Sequence, residues 1–227
     1  MRLPDVLRWF PGRRVLRSWA FRTGAVKWWW RYRHLIDSKY RQAPPATDLV
    51  DPHREQLWSL IAPFNPQSVL EVGCGDGANL ALLARKAPHV RLDGVDVNPL
   101  ALAITRQRIF DGGGMLGTLQ PGSADELPVA TASVDVALSD AVFMYLPPGA
   151  AIAALREMRR VARRAFVVHT FSTDTLPTSA VVGGNWVHPL PTLIARAVPD
   201  SSISHHRSAL VTAGQWQEFG AVFVVTW

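Results

Sequence analysis

Short apolar runs alternate along this chain with longer stretches whose apolar residues recur every three or four positions. "DPHREQLWSLIAPF" (51–64) sets Leu57, Leu60 and Ile61 at helical spacing. Asp51 can cap that helix, with Pro52 at its first position. "SVLEV" (68–72) is a β-branched run of the kind buried inside a sheet, and "GANLALLARKA" behind it reads as a helix that ends near Pro88. "VRLDGVDV" (90–97) is a second strand, and "NPLALAITRQRIF" a second helix capped by Asn98 with Pro99 at its start. "MLGTLQ" (115–120) and "VDVALS" (134–139) are the third and fourth strands. The helix "GAAIAALREMRRVARR" then turns Ile152, Leu155, Met158 and Ala162 towards one face, with its "ARR" end (162–164) in solvent. "AFVVHTF" (165–171) is a fifth strand.

This alternation predicts a doubly wound α/β fold, a mainly parallel sheet with helices on both faces. Right-handed crossovers bring the loops after the strands to one edge, where ligands of such sheets bind. The pattern changes after residue 180. A helix, "PLPTLIARAV", precedes "SISHHRSA" and "FGAVFVVTW", with no helix expected between the last two. Strands joined without a crossover are antiparallel, so a terminal hairpin should close a seven-stranded sheet.

The chain's 227 residues, 48% of them hydrophobic, suffice for one well-buried domain with an appendage. No apolar run reaches the roughly 18–20 residues of a membrane span, and arginines interrupt the N-terminal segment where a signal peptide would be apolar. The expected location is cytoplasmic. The one cysteine, Cys74, excludes an internal disulfide and any multi-cysteine metal centre. The net charge of +6 conceals an asymmetry. Residues 1–41 hold eleven Arg and Lys against two Asp, a net +9, and five of the nine tryptophans. The remainder holds thirteen against sixteen acidic residues, a net −3. Pro44 and Pro45 mark the boundary, dividing a helical arm (1–46) from a main domain (47–227).

"SVLEVGCGDGANL" (68–80) puts Gly73, Gly75 and Gly77 in the first strand-to-helix turn. Glycine lets a ligand approach the backbone closely, and the following helix offers free N–H groups. Asp96 ends the second strand, where a carboxylate can accept from both hydroxyls of a ribose. A nucleotide or nucleoside ligand follows, and on these residues alone a dinucleotide fits nearly as well. His169 ends the fifth strand, as a general base or as a hydrogen-bonded structural histidine. In "GGNWVHPLP", His188 and Trp186 either fold over the site or pack their loop down. His205 and His206 alternate along a strand with no carboxylate or cysteine partner nearby, so no metal site is expected.

"VLEVGCGDG" resembles the first motif of class I S-adenosylmethionine-dependent methyltransferases, E/D-x-G-x-G-x-G. "GVDVNPLAL", "GSADELP", "VDVALSDAVFMYLPP" and "LREMRRVARRAFVVHTFS" look like that family's later motifs, in order, over residues 65–171. The resemblance favours this family over a dinucleotide-binding one, because Glu71 lies within the first strand and the sheet end is antiparallel. It implies S-adenosylmethionine as cofactor, bound by the turn Gly73, Cys74, Gly75 and Gly77. It also implies that Glu71 holds the turn or the methionine amino group, that Asp96 binds the ribose and that Val97 contacts the adenine. Ser123 and Ala124 would touch the adenine, with Ser123 standing where the family often has Asp. Asp140 would face cofactor and acceptor at the end of the fourth strand.

The implied reaction is methyl transfer to an unidentified small-molecule, lipid-linked or sugar acceptor, with oxygen preferred. The alternatives are a domain that binds the cofactor without methyl transfer and a nucleotide-binding partner protein. No N/D-P-P-Y/F motif follows the fourth strand, so nucleic acid is disfavoured as acceptor. The basic, tryptophan-rich residues 1–41 suit either a lid over the acceptor site or peripheral contact with the inner membrane surface.

Overall fold

The computed structural model describes residues 30–31, 51–210 and 214–227. The arm, apart from Trp30 and Arg31, and its boundary at residue 46 lie outside the described residues. The main domain opens with helix α1 (Pro52–Ile61), capped by Asp51, whose carboxylate accepts from the His53 backbone N–H. Then follow β1 (Ser68–Val72), α2 (Ala78–Lys86), β2 (Arg91–Asp96), α3 (Pro99–Asp111), β3 (Met115–Pro121) and β4 (Val134–Asp140). A 3-10 turn (Phe143–Tyr145) leads to α4 (Pro148–Val161) and β5 (Ala162–Phe171). A small hairpin, β6 (Ala180–Val182) and β7 (Asn185–Val187), precedes α5 (Leu190–Ala197), β8 (Ser202–Arg207), α6 (Gln215–Phe219) and β9 (Gly220–Thr226).

Seven strands form one sheet in the order β3-β2-β1-β4-β5-β9-β8. β9 alone runs against its neighbours, pairing antiparallel with both β5 and β8. The strands β1 and β4 at the centre are buried nearly throughout, because helices cover both faces of a parallel sheet. One face packs Leu70, Val72, Phe166 and Val168 against Leu155 and Met158 of α4 and Leu193 and Ile194 of α5. The other packs Val69, Val136 and Val167 against Leu57 and Ile61 of α1, Leu80 and Leu83 of α2, and Ile109 of α3. Burying each such side chain contributes about 1.5–3 kcal/mol, so this two-sided core is what fixes the strand edge on which the site is built.

Asp135 secures the opposite edge. It is buried, and its Oδ2 accepts from the backbone N–H groups of Gln67 at 2.8 Å and Ser68 at 3.2 Å. Its Oδ1 lies 3.3 Å from Arg163 Nε. That contact is one reason why the expected helix end at 162–164 is instead the start of β5. Ala162 takes an extended conformation (φ −88°, ψ 141°) and pairs with Val134, while Arg164 Nη1 donates to the Phe64 carbonyl at 2.7 Å. A helix-compatible sequence here yields to strand pairing. The terminal hairpin is antiparallel as expected, but the one-turn helix α6 stands between its strands, where none was expected.

Candidate functional site

The turn between β1 and α2 is pinned from below. Gly73 and Cys74 donate to the Val95 carbonyl at 2.7 and 3.1 Å, and Thr105 Oγ1 donates to the Gly75 carbonyl at 2.9 Å. Gly73 has φ +76°, and a Cβ there would lie 2.3 Å from Val142 Cγ2, so the chain after β4 closes directly on this glycine. At Gly75, φ +53°, a Cβ would meet nothing within 4 Å, which leaves room for a ligand against the backbone. A Cβ on Gly77 would strike Thr105, so this glycine serves the packing of α2 on α3. The Cys74 side chain turns away from the opening into the core beside Gly94 and Leu119, and burial pushes its thiol well up. Contact of Cys74 with a cofactor is therefore left to its backbone.

Asp96 ends β2 and is partly exposed. Its Oδ2 accepts from the Gly75 N–H at 2.9 Å and its Oδ1 from the Asn98 N–H at 2.8 Å. Burial raises its carboxyl above the usual range, and these donors oppose the rise. Asp96 thus ties the glycine turn to the start of α3 while keeping acceptor capacity for a ribose. Val97 and Ser123 are partly exposed at the same edge and Ala124 is buried. The Ser123 hydroxyl pairs with Asp125 Oδ1.

Glu71, Asn79 and Asp140 form a polar chain across the strand ends. Asn79 Nδ2 donates to Glu71 Oε1 at 2.7 Å and to Asp140 Oδ2 at 2.9 Å. Glu71 Oε2 and Asn79 Oδ1 are buried without a partner among the described residues. Burial pushes the Glu71 carboxyl well above the usual range; the Asn79 donation opposes this and the Asp140 charge adds to it. Two buried, unsatisfied acceptors are costly to a protein unless a ligand completes them. They suit a cationic donor such as the ammonium group of an amino acid.

Asp140 is also gripped from its other side. His169 Nδ1 lies 2.6 Å from Oδ1 and His53 Nε2 3.3 Å from Oδ2. Burial opposes ionisation of Asp140, but the two histidines hold its carboxyl well below the usual range. His53 is in turn 2.6 Å from Asp51 Oδ1; burial lowers its pKa, yet the two carboxylates outweigh this and raise it. His169 is fully buried and reaches Ser208 Oγ through Nε2 at 2.7 Å, so it acts on an acceptor only by way of Asp140. Ala141, next in the chain, has φ +56°, a left-handed conformation secured by its N–H bond to the His169 carbonyl at 2.9 Å.

The other histidines separate from the site. His188 is fully buried between Ser179 Oγ (2.7 Å) and the Phe143 carbonyl (3.1 Å), and burial lowers its pKa. Trp186 stacks on His188, with centroids 6.1 Å apart, so both pack the loop down. His205 stacks on Phe223 on the outer strand. His53, Asn79, Ser208 and Val142 are the residues that sequence reasoning missed. The one available signal was the pair Asp51–His53 in the first helical turn, where an acidic cap sits two residues from an imidazole.

Seven strands in this order with one reversed, and a pinned glycine turn facing an acidic β2 end, define a class I methyltransferase domain. Residues 69–165 match the family of methyltransferase domains. The chain is 33% identical over 111 residues to demethylmenaquinone methyltransferase of Thermotoga maritima, covering 49% of this chain and 45% of that protein. It is 33% identical over 87 residues to ribosomal RNA small subunit methyltransferase C of Cronobacter sakazakii, covering 37% and 25%. The chain therefore spans less than half the length of these relatives. The fold is shared with magnesium protoporphyrin IX methyltransferase of Synechocystis crystallised with S-adenosylmethionine (TM-score 0.57, 15% identity, 96% of this chain and 97% of that one). Residues 69–165 thus match a methyltransferase domain, and the fold around them is that of the class I methyltransferases.

The residues present fit that cofactor. Glu71 Oε2 and Asn79 Oδ1 offer buried acceptors to its amino-acid end, Gly75 leaves space along the backbone, and Asp96 retains lone pairs for the ribose.

Proposed function

We propose that the protein transfers the methyl group of S-adenosylmethionine to an oxygen of a small-molecule, lipid-linked or sugar acceptor. The carrying observation is the pair of buried oxygens of Glu71 and Asn79 beside the glycine turn, which have no partner among the described residues. When bound, the cofactor supplies a methyl group already made electrophilic by its sulfonium. The protein's work is to bind, orient and exclude water, contributions that can reach several kcal/mol. Glu71, Asn79 and Asp96 would hold the cofactor's polar groups, with Val97, Ser123 and Ala124 along its adenine. Asp140, held by Asn79 and in contact with His53 and His169, stays ionised and serves as a fixed charge rather than a proton acceptor. The names of the matched relatives point to demethylmenaquinone, ribosomal RNA and magnesium protoporphyrin IX, and so do not converge on one acceptor.

The Trp30 ring lies 4.6 Å from that of Tyr145, at the turn after β4, which supports reading the N-terminal arm as a lid on the acceptor side. Peripheral membrane contact is the second reading, carried by the net +9 of residues 1–41. Sedimentation of the full chain with anionic liposomes at low salt, reversed by added salt, would favour it. Retention in the supernatant favours the lid.

The experiment for the reaction is incubation of the full chain with methyl-labelled S-adenosylmethionine and a fractionated extract of cells lacking the protein. We expect label in a metabolite or lipid as a methyl ether or ester. Cofactor binding with no labelled product in any fraction would favour a binding domain without transfer.

A further inference from the structure

We propose that His53, Asp140 and His169 form a site for one divalent transition-metal ion of the imidazole-preferring kind, such as zinc. These residues come from the first turn of α1 and the ends of β4 and β5, and each presents one ligand atom within 4.8 Å of the other two. Two imidazoles and one carboxylate are a donor set that suits zinc or iron and leaves further positions open. Nothing in the family resemblance concerns His53, which lies ahead of the matched residues 69–165.

The second observation is what stands behind each ligand. Metal-bound histidines donate their other ring N–H to a carboxylate, carbonyl or hydroxyl that fixes the tautomer. His53 has Asp51 Oδ1 at 2.6 Å from Nδ1, leaving Nε2 for the centre of the cluster. His169 has Ser208 Oγ at 2.7 Å from Nε2, leaving Nδ1 for the centre. Asp140 Oδ2 is held by Asn79 at 2.9 Å. The supports are themselves fixed, Asp51 by the N–H of His53 and Ser208 by that of Leu210 at 3.0 Å.

Charge points the same way. Asp51 and Asp140 together carry two negative charges, and Glu71 lies beyond Asn79; Arg54, 3.5 Å from Asp51, is the cation alongside. The spacing on the His53 side is close to what an ion needs, and that on the His169 side is shorter. Bond lengths of about 2.0–2.2 Å at tetrahedral angles put neighbouring ligand atoms about 3.3–3.6 Å apart. Here His53 Nε2 lies 3.3 Å from Asp140 Oδ2 and His169 Nδ1 2.6 Å from Oδ1, so the His169 side must open by about 0.7–1.0 Å to admit an ion. Among the three side chains Asp140 has the largest exposure, 13% against 7% and 0%, so an ion enters past Asp140.

The test uses the untagged full chain, stripped with a chelator and titrated calorimetrically with zinc, and separately with cobalt followed by visible absorption. We expect one equivalent bound, with cobalt bands of an ordered low-coordinate site. His53→Ala should abolish stoichiometric binding, and Asp51→Asn should weaken it about 10–100-fold. His205→Ala, on the outer strand, should leave it unchanged. Asp51→Asn keeps the size of the cap and serves if His53→Ala does not fold. No stoichiometric binding by the wild type would overturn the proposal, leaving a proton-filled hydrogen-bonded cluster. Unchanged binding in both site variants would also overturn it. A parallel titration with S-adenosylmethionine keeps this outcome separate from failure of the methyl-transfer reading.

Discussion

Glu71 and Asn79 lie 2.7 Å apart, joined by one hydrogen bond, and each keeps a buried oxygen with no partner among the described residues. The pair is held ready for a donor that no described residue supplies. Its cost appears in the raised pKa of Glu71, caused first by burial. Because the folded state holds this proton more tightly than the unfolded one, stability falls as pH rises. The loss begins near the ordinary glutamate value, about 4.3, and is complete above the raised folded value.

Glu71→Gln removes that titration. The variant should unfold at higher temperature than the wild type at pH 8, with a smaller advantage at pH 5 and none below about pH 4. Its affinity for S-adenosylmethionine should fall by tenfold or more, since a charge-assisted hydrogen bond is worth about 1.5–3 kcal/mol. Melting curves over pH, together with calorimetry, check both. A variant that is less stable at pH 8 would refute the account of the pair.

Gly73 and Val142 couple two motifs distant in sequence. Gly73→Ala meets both a left-handed backbone, costing about 1–2 kcal/mol, and the Val142 methyl group. Val142→Ala alone should destabilise mildly. In the double variant the Val142 change should cost less than it does alone, or become favourable, because it removes the clash. Denaturant unfolding of the four proteins gives the coupling energy, and simple additivity would show that the contact is not limiting.

Asp135 predicts the opposite signature. Asp135→Ala leaves the backbone N–H groups of Gln67 and Ser68 and the Arg163 side chain without their acceptor, at the edge away from the site. Stability should drop by about 2–4 kcal/mol. Cofactor affinity of the folded protein, measured by calorimetry below the unfolding transition, should not change.

Much of this fold was legible because its signals are local. Asp51 with Pro52 and Asn98 with Pro99 announce helix starts, and both caps form as read. "SVLEV" is as long and as buried as its composition implies. "ARR" at 162–164 misled because helix propensity there is overruled by pairing with Val134 and by Asp135, 27 residues away from Ala162. The site divides in the same manner. Gly75 and Asp96 follow from a strand–turn–helix pattern. His53, Asn79 and Ser208 do not, because only the three-dimensional meeting of α1, α2 and the end of β8 with Asp140 and His169 gives them a role.

The central claim is that this strand edge binds S-adenosylmethionine with Asp96 as a chief anchor, and calorimetric titration of the full chain tests it most directly. The account predicts one equivalent bound by the wild type. It predicts at least tenfold weaker binding by Asp96→Ala, which loses its acceptors for the ribose and its hold on the Gly75 N–H. Circular dichroism establishes that the variant is folded. No binding of S-adenosylmethionine by the wild type, binding of NAD in its place, or unchanged affinity in a folded Asp96→Ala would contradict it.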